Sequence, residues 1–188
     1  DLVRGGPPER TAFNRPGWHY LPKGFFFADA TPAFRKTAES GMNMKLHPVG
    51  GTENPDWNGP QAFQANLALL KNPSAPKPDR AVALCWVLHL GQDLHQPCHT
   101  TSLCLPRLFP EGDRGANSVK TKELGNLHAV WDSPLGPNDR YEQCRDLAIV
   151  LLGEAGPAAL QENVGDADVE MRKWLNEGWR LAAEAVYI

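Results

Sequence analysis

Leu88-His89-Leu90-Gly91-Gln92-Asp93-Leu94-His95-Gln96-Pro97-Cys98-His99 closes the most apolar run of the chain, Ala81 to Leu90. A run that is apolar on all sides reads as a buried helix, and a buried helix that carries imidazole and carboxylate needs a reason for them. His89 and Asp93 stand i, i+4, about 40° apart around a helix, so their side chains lie one above the other on one face. That is the spacing of a metal-ligand pair. Pro97 ends the helix just beyond, and His99 in the following turn can fold back toward the same face. His95 lies roughly 240° around the helix from His89, points away from that face, and reads as a supporting or core residue.

Upstream, Asp79 reads as the cap of this helix, which then spans Arg80 to Gln96. Downstream the pattern repeats. Asn126 caps a short helix, Leu127 to Ser133, stopped by Pro134, and on it His128 and Asp132 repeat the i, i+4 geometry. A second copy of the pair argues against coincidence. Thr31-Pro32 opens a helix through Ser40, and Phe63, Leu67 and Leu70 give helical spacing over Pro60 to Lys71. Amphipathic helices are expected over Asp139 to Glu154, with Tyr141, Cys144, Leu147 and Leu151 on one face, and over Asp166 to Tyr187, with Val169, Trp174, Leu181 and Val186.

Gly41 to Gly59 and Asn72 to Pro78 read as loops, and Thr100 to Lys122 as a long connection of the kind that is usually functional or disordered. Trp174, Trp179 and the other tryptophans read as core, and Phe25, Phe26 and Phe27 as core or loop cover. On spacing alone His19, between Trp18 and Tyr20, reads as a packed loop histidine, and His47 as a solvated bystander. No strand pattern and no internal repeat emerges. The class is all-α.

The 188 residues suffice for one domain with a real core. The 17 glycines and 17 prolines exceed the usual combined share of roughly 12%, so long ordered loops are expected between the helices. A net charge of −3 offers no basic footprint for nucleic acid. A protein of this charge that handles phosphates must take its positive charge from metal ions. The longest apolar run is too short to span a bilayer, and Asp1-Leu2-Val3-Arg4 opens into polar sequence that does not read as a signal peptide. Cys85, Cys98, Cys104 and Cys144 include no C-x-x-C pair; a Cys98 to Cys104 bridge and free buried thiols are both open.

Neutral imidazole and carboxylate are ligands of choice for zinc, and a catalytic zinc takes about three from the protein. His89, Asp93, His99, His128 and Asp132 suffice for two metals if one carboxylate bridges.

Taken together, these residues resemble the zinc-dependent single-strand-specific nucleases of fungi, plants and bacteria, relatives of the zinc-dependent phospholipases C. The resemblance rests on His89-x-x-x-Asp93-x-His95-Gln96-Pro97-x-His99, on Asp113-x-Gly115-x-Asn117, and on Asn126-Leu127-His128-x-x-Trp131-Asp132. It extends to Trp18-His19-Tyr20 and to the closing Trp174 to Tyr187. It implies a multi-helical fold with three zinc ions. Asp1, His19, His89 and Asp93 would hold one zinc, with Asp93 bridging to a close neighbour, and His99, His128 and Asp132 would hold another. Arg4 matches the family's arginine that stabilises the transition state, Asn117 an asparagine of the nucleotide pocket, and Tyr20 a contact to the base. The implied activity is cleavage of single-stranded DNA and RNA to 5'-phosphates, with 3'-nucleotidase activity, by a secreted or periplasmic monomer without a membrane segment. Zinc brings the pKa of water from 15.7 toward about 7, and paired zincs about 3.5 to 4 Å apart hold nucleophile and leaving oxygen in line at phosphorus.

Three departures stand out. The family's N-terminal Trp and nearby His, ligands of the neighbouring zinc, have no counterpart before Asp1. Pro22 stands where many members carry an acidic residue that reads the base, and Gly115-Ala116-Asn117 replaces a double glycine. Leu2 and Val3 look like the end of a helix already under way, so the natural protein is expected to continue on the N-terminal side after a signal peptide. A protein made strictly as residues 1 to 188 is expected to hold fewer than three zincs, which metal analysis by mass spectrometry would count. Two other readings compete. A phospholipase C would keep the metals but usually has Glu in place of Asp132 and lacks the Asp113 to Asn117 motif; a helical zinc-binding protein would keep them without catalysis.

Overall fold

Seven helices and one very small sheet make up the computed structural model, which describes residues 13–46, 56–133, 140–159 and 166–187. A 3-10 turn, Pro16–His19, precedes strand β1, Lys23–Phe25. The helices are α1, Pro32–Ser40; α2, Gly59–Lys71; α3, Lys77–Asp93; α4, Pro97–Thr100; α5, Leu127–Asp132; α6, Tyr141–Ala159; and α7, Ala167–Leu181, which widens into a π-turn over Ala182–Val186. Strand β2, Thr101–Leu103, pairs parallel with β1, Lys23 opposite Thr101. The fold is all-α apart from this pair, which the sequence did not suggest because three-residue strands are too short to show a period.

Local chemistry accounts for the helix starts. The Thr31 hydroxyl accepts from the Phe34 N–H, with Pro32 in the first turn of α1. Asn58 and Gln61 form a reciprocal capping box at α2. The Asn126 side chain accepts from the Ala129 N–H at the start of α5. Helix α3 departs from expectation at both ends. It begins at Lys77, because Pro78 fits a first helical turn, and Asp79 sits inside that turn rather than at the cap. It stops at Asp93, because a residue before proline is pushed out of the α region; Gln96 has φ −77° and ψ 118° and starts α4 instead.

The core gathers where α2, α3, α7 and the 3-10 turn meet: Trp18, Trp57, Phe63, Trp86, Leu90, Leu94, Met171 and Leu175 pack in one cluster. Trp18 lies 4.8 Å from Trp86 and 5.8 Å from Trp57 between ring centroids. A smaller cluster joins Cys98, Leu103, Ala116, Ala182, Val186 and Tyr187, and there Phe25 stacks on Tyr187. Trp174 and Trp179 pack, partly buried, against the main cluster.

The expectation that Ala81 to Leu90 is buried on all sides is corrected. Ala83, Trp86 and Leu90 are buried, whereas Leu84 and Leu88 stand on the exposed face, Leu88 with 62% of its surface open. Helix α6 likewise exposes Tyr141, Cys144 and Leu151 of its expected buried face, and α7 exposes Val169. An amphipathic pattern identifies a face suited to burial but not what covers it. All four cysteines are free, Cys98 and Cys104 buried and unbridged. No helix among the described residues is long and apolar enough to cross a membrane.

Candidate metal centre

The turn that ends α3 brings two histidine and carboxylate groups side by side. In the first, His89 and Asp93 project from the last turn of α3, and His19 reaches them from the end of the 3-10 turn. Trp18, buried between Trp57 and Trp86, anchors that turn, and the Gly59 N–H donates to the Tyr20 carbonyl at 2.8 Å. His19 Nδ1 lies 2.8 Å from Asp93 Oδ2, and His89 Nε2 lies 3.1 Å from both. In the second group, α4 supplies His99 and α5 supplies His128 and Asp132. The two Nε2 atoms are 3.1 Å apart, with Asp132 Oδ2 3.4 Å from that of His128 and Oδ1 3.7 Å from that of His99.

Within each group the ligand atoms lie within 4.8 Å of one another, close enough to hold one metal ion. Asp93 connects the two groups. Its Oδ2 serves His19 and His89, while Oδ1 is 3.3 Å from His99 Nδ1. That distance is short but out of hydrogen-bond alignment, and the buried His99 Nδ1 has no hydrogen-bond partner. Imidazole nitrogens facing one another around carboxylate oxygens, one of them buried and unsatisfied, form a donor set that suits zinc.

Electrostatics agree with the geometry. Burial pushes the Asp93 carboxyl up, but the imidazoles of His19, His89 and His99 hold it well below the usual carboxylate range, so it is an anion. The contact with Asp93 raises His89, against the opposing effect of burial. Burial lowers His128, favouring the neutral ring that binds metal. His128 Nδ1–H donates to the Gly115 carbonyl at 2.6 Å, and this leaves the Nε2 lone pair facing His99 and Asp132. Burial, with Asp113 and Asp132 nearby, pushes the Cys98 thiol up to about 12, so Cys98 stays protonated beside His99.

The long connection after β2 supports the second group. Asp113 is fully buried, and its Oδ1 accepts from the Leu103 N–H, the Ser102 hydroxyl and the Tyr187 hydroxyl at 3.0 to 3.3 Å. Beyond it Arg114, Gly115 and Ala116 all take left-handed backbone angles, φ 61°, 60° and 64°, which aims the Gly115 carbonyl at His128. Helix α7 braces α4: the Trp179 indole N–H donates to the Thr100 carbonyl at 3.0 Å, and a side chain at Gly178 would come within 2.6 Å of Thr100 Oγ1.

His19, His89, Asp93, His99, His128 and Asp132 therefore meet in one place. The Tyr20 ring stands edge-on to His99, 5.2 Å between centroids, and 6.5 Å from His128. The Asn117 side chain donates to the Arg114 carbonyl, within its own loop. His95 is exposed, its Nδ1 faces the Gly91 carbonyl, and its ring lies on Trp174 at 4.6 Å, away from both groups. Asp1, Arg4 and His47 lie outside the described residues. Two parts of the centre have no signal at helical spacing: the Gly115 carbonyl behind His128, and the Gln96 amide, whose Nε2 donates to Asp132 Oδ1 at 2.9 Å. Both positions fall within the motifs that carry the family resemblance, but residue type and spacing assign neither of them a contact in the centre.

No curated protein matches the chain. The family described as S1/P1 Nuclease matches residues 34–188, a stretch that holds every residue of the two groups except His19. Imidazole and carboxylate donors gathered at the close of α3 are what hydrolysis of a phosphate ester with metal ions requires, and the chain belongs to the S1/P1 nuclease family.

Proposed function

We propose that this protein cleaves single-stranded DNA and RNA to 5'-phosphate products and removes the phosphate of 3'-nucleotides, with zinc held by His19, His89 and Asp93 and by His99, His128 and Asp132. The observation that carries the reading is Asp93, one partly buried carboxylate whose two oxygens face the two donor groups. Bound zinc supplies Lewis-acid charge to phosphate oxygens and makes water nucleophilic near neutral pH. Asp93 holds the imidazoles of both groups around one carboxylate. The Gly115 carbonyl fixes the His128 tautomer, and the Tyr20 ring offers an aromatic face beside His99 to a splayed base. A base paired in a duplex is not available to such a face.

By resemblance, the reading adds Asp1 as a ligand, a third zinc beside Asp93, Arg4 to neutralise charge at phosphorus, and Asn117 in the nucleotide pocket. It assigns a monomer working in a secreted or periplasmic compartment. The test is metal content with and without a chelator, read beside hydrolysis of single-stranded DNA, phosphatidylcholine and a 3'-nucleotide. Chelator-sensitive hydrolysis of the DNA and the nucleotide is expected. Hydrolysis of the lipid alone would make the protein a phospholipase C, and bound zinc without any hydrolysis a non-catalytic module.

Binding should show the same dependence. With a net charge of −3, contact with single-stranded DNA is expected to rest on zinc more than on surface lysines. Chelation should abolish binding that otherwise persists through moderate salt. Tight binding by the metal-free protein, measured by fluorescence anisotropy, would contradict this.

A further inference from the structure

We infer that Gln96 is a positioning residue of the metal centre, its one amide capping the helix that carries His99 while restraining the carboxylate of Asp132. The inference rests on the proposed metal role of His99, His128 and Asp132. Gln96 occupies the turn between α3 and α4, with its backbone extended ahead of Pro97. Its Oε1 accepts from the Cys98 N–H. A backbone N–H can only donate, so the amide atom facing it must be the oxygen, and the Nε2 end is thereby turned toward Asp132. There it donates to Oδ1 at 2.9 Å. The amide orientation thus follows from chemistry at both ends.

Asp132 is the member of its group with the least packing to hold it. Its side chain is 46% exposed, against 9% for His99 and 8% for His128. A carboxylate so open can rotate away from the histidines unless something fixes it. With Oδ1 engaged by Gln96, Oδ2 stays 3.4 Å from His128 Nε2, facing the other donors of the group. Because the same side chain starts α4, the positions of His99 and Asp132 depend on one residue that belongs to neither donor group.

Gln96→Glu and Gln96→Ala separate this role from simple capping. The glutamate keeps an acceptor for the Cys98 N–H but removes the donor and sets a second carboxylate against Asp132; alanine removes both ends. Cobalt(II) would be titrated into each metal-free protein against a chelating dye, with visible absorption recorded and thermal melting of the metal-free proteins measured in parallel. His128→Ala identifies which binding step belongs to this group. For that step both Gln96 variants are expected to bind about 10 to 100-fold more weakly, with an altered cobalt spectrum, while metal-free Gln96→Glu melts like the parent. Parental or tighter affinity with a parental spectrum in Gln96→Glu would show that the amide is only a cap and overturn the inference, whether or not Gln96→Ala folds. If His128→Ala lost no binding step, the metal reading of the group would fail first and this inference with it.

Discussion

His128→Ala is expected to lose one bound zinc and most of the hydrolytic activity, and His89→Ala to do the same at the neighbouring group. Each imidazole is one of three donors that face a common point, and alanine leaves the other two with an incomplete site. Loss of a partner behind a ligand typically costs 10 to 100-fold in metal affinity or activity, so loss of a ligand itself should cost more than about 100-fold. His128 is buried and its ring is held at both nitrogens, so this variant should also free the Gly115 carbonyl and loosen the loop behind it. His95→Gln is the matched control. That ring lies on Trp174 and outside both groups, so zinc content should change little. Zinc counted by mass spectrometry and the rate on single-stranded DNA decide the matter. Full metal and full rate in either alanine variant would remove that residue from the ligand set, and equal zinc loss in His95→Gln would show that a ring packed on Trp174 outside both groups still governs metal content.

Gly115→Ala should unfold the support of the second group without touching a ligand. Gly115 has φ +60°, and a methyl group there would sit 2.1 Å from the Cys98 carbonyl oxygen, which is backbone and has no rotamer to change. The left-handed conformation costs a non-glycine residue roughly 1–2 kcal/mol, and forcing a methyl into packed structure typically costs 1–3 kcal/mol more. A combined loss of about 3 kcal/mol lowers the melting temperature of a chain this size by roughly 6–12 °C. Because the Gly115 carbonyl orients His128, zinc affinity at that group should fall together with stability. Arg114→Gly is the opposite case: φ +61° at an arginine is relieved by glycine, so a neutral or slightly raised melting temperature is expected. A Gly115→Ala protein with parental melting and parental zinc affinity would mean that the three left-handed residues do not hold the loop.

These two predictions rest on different kinds of information. The His89/Asp93 and His128/Asp132 pairs were legible because both members sit on one helix, and four residues along a helix place two side chains together whatever the rest of the chain does. The caps Thr31 and Asn126 were legible for the same reason, since their partners lie within one turn. Burial was less legible. Leu84 and Leu88 belong to an apolar run and yet are exposed, because periodicity describes a helix and not its neighbours.

The amino-acid sequence by itself determined the helical class, the two His/Asp pairs and the chemistry of their donor atoms, all of which depend on residue type and spacing within a turn. Only the tertiary structure decided that His19 meets Asp93 from 74 residues away, that one carboxylate faces both groups, and that Gly115 and Gln96 stand behind His128 and Asp132. Those contacts join segments separated by turns, and the path of a turn is set by what the tryptophan cluster and the buried Asp113 hold in place, not by any period in the residues themselves.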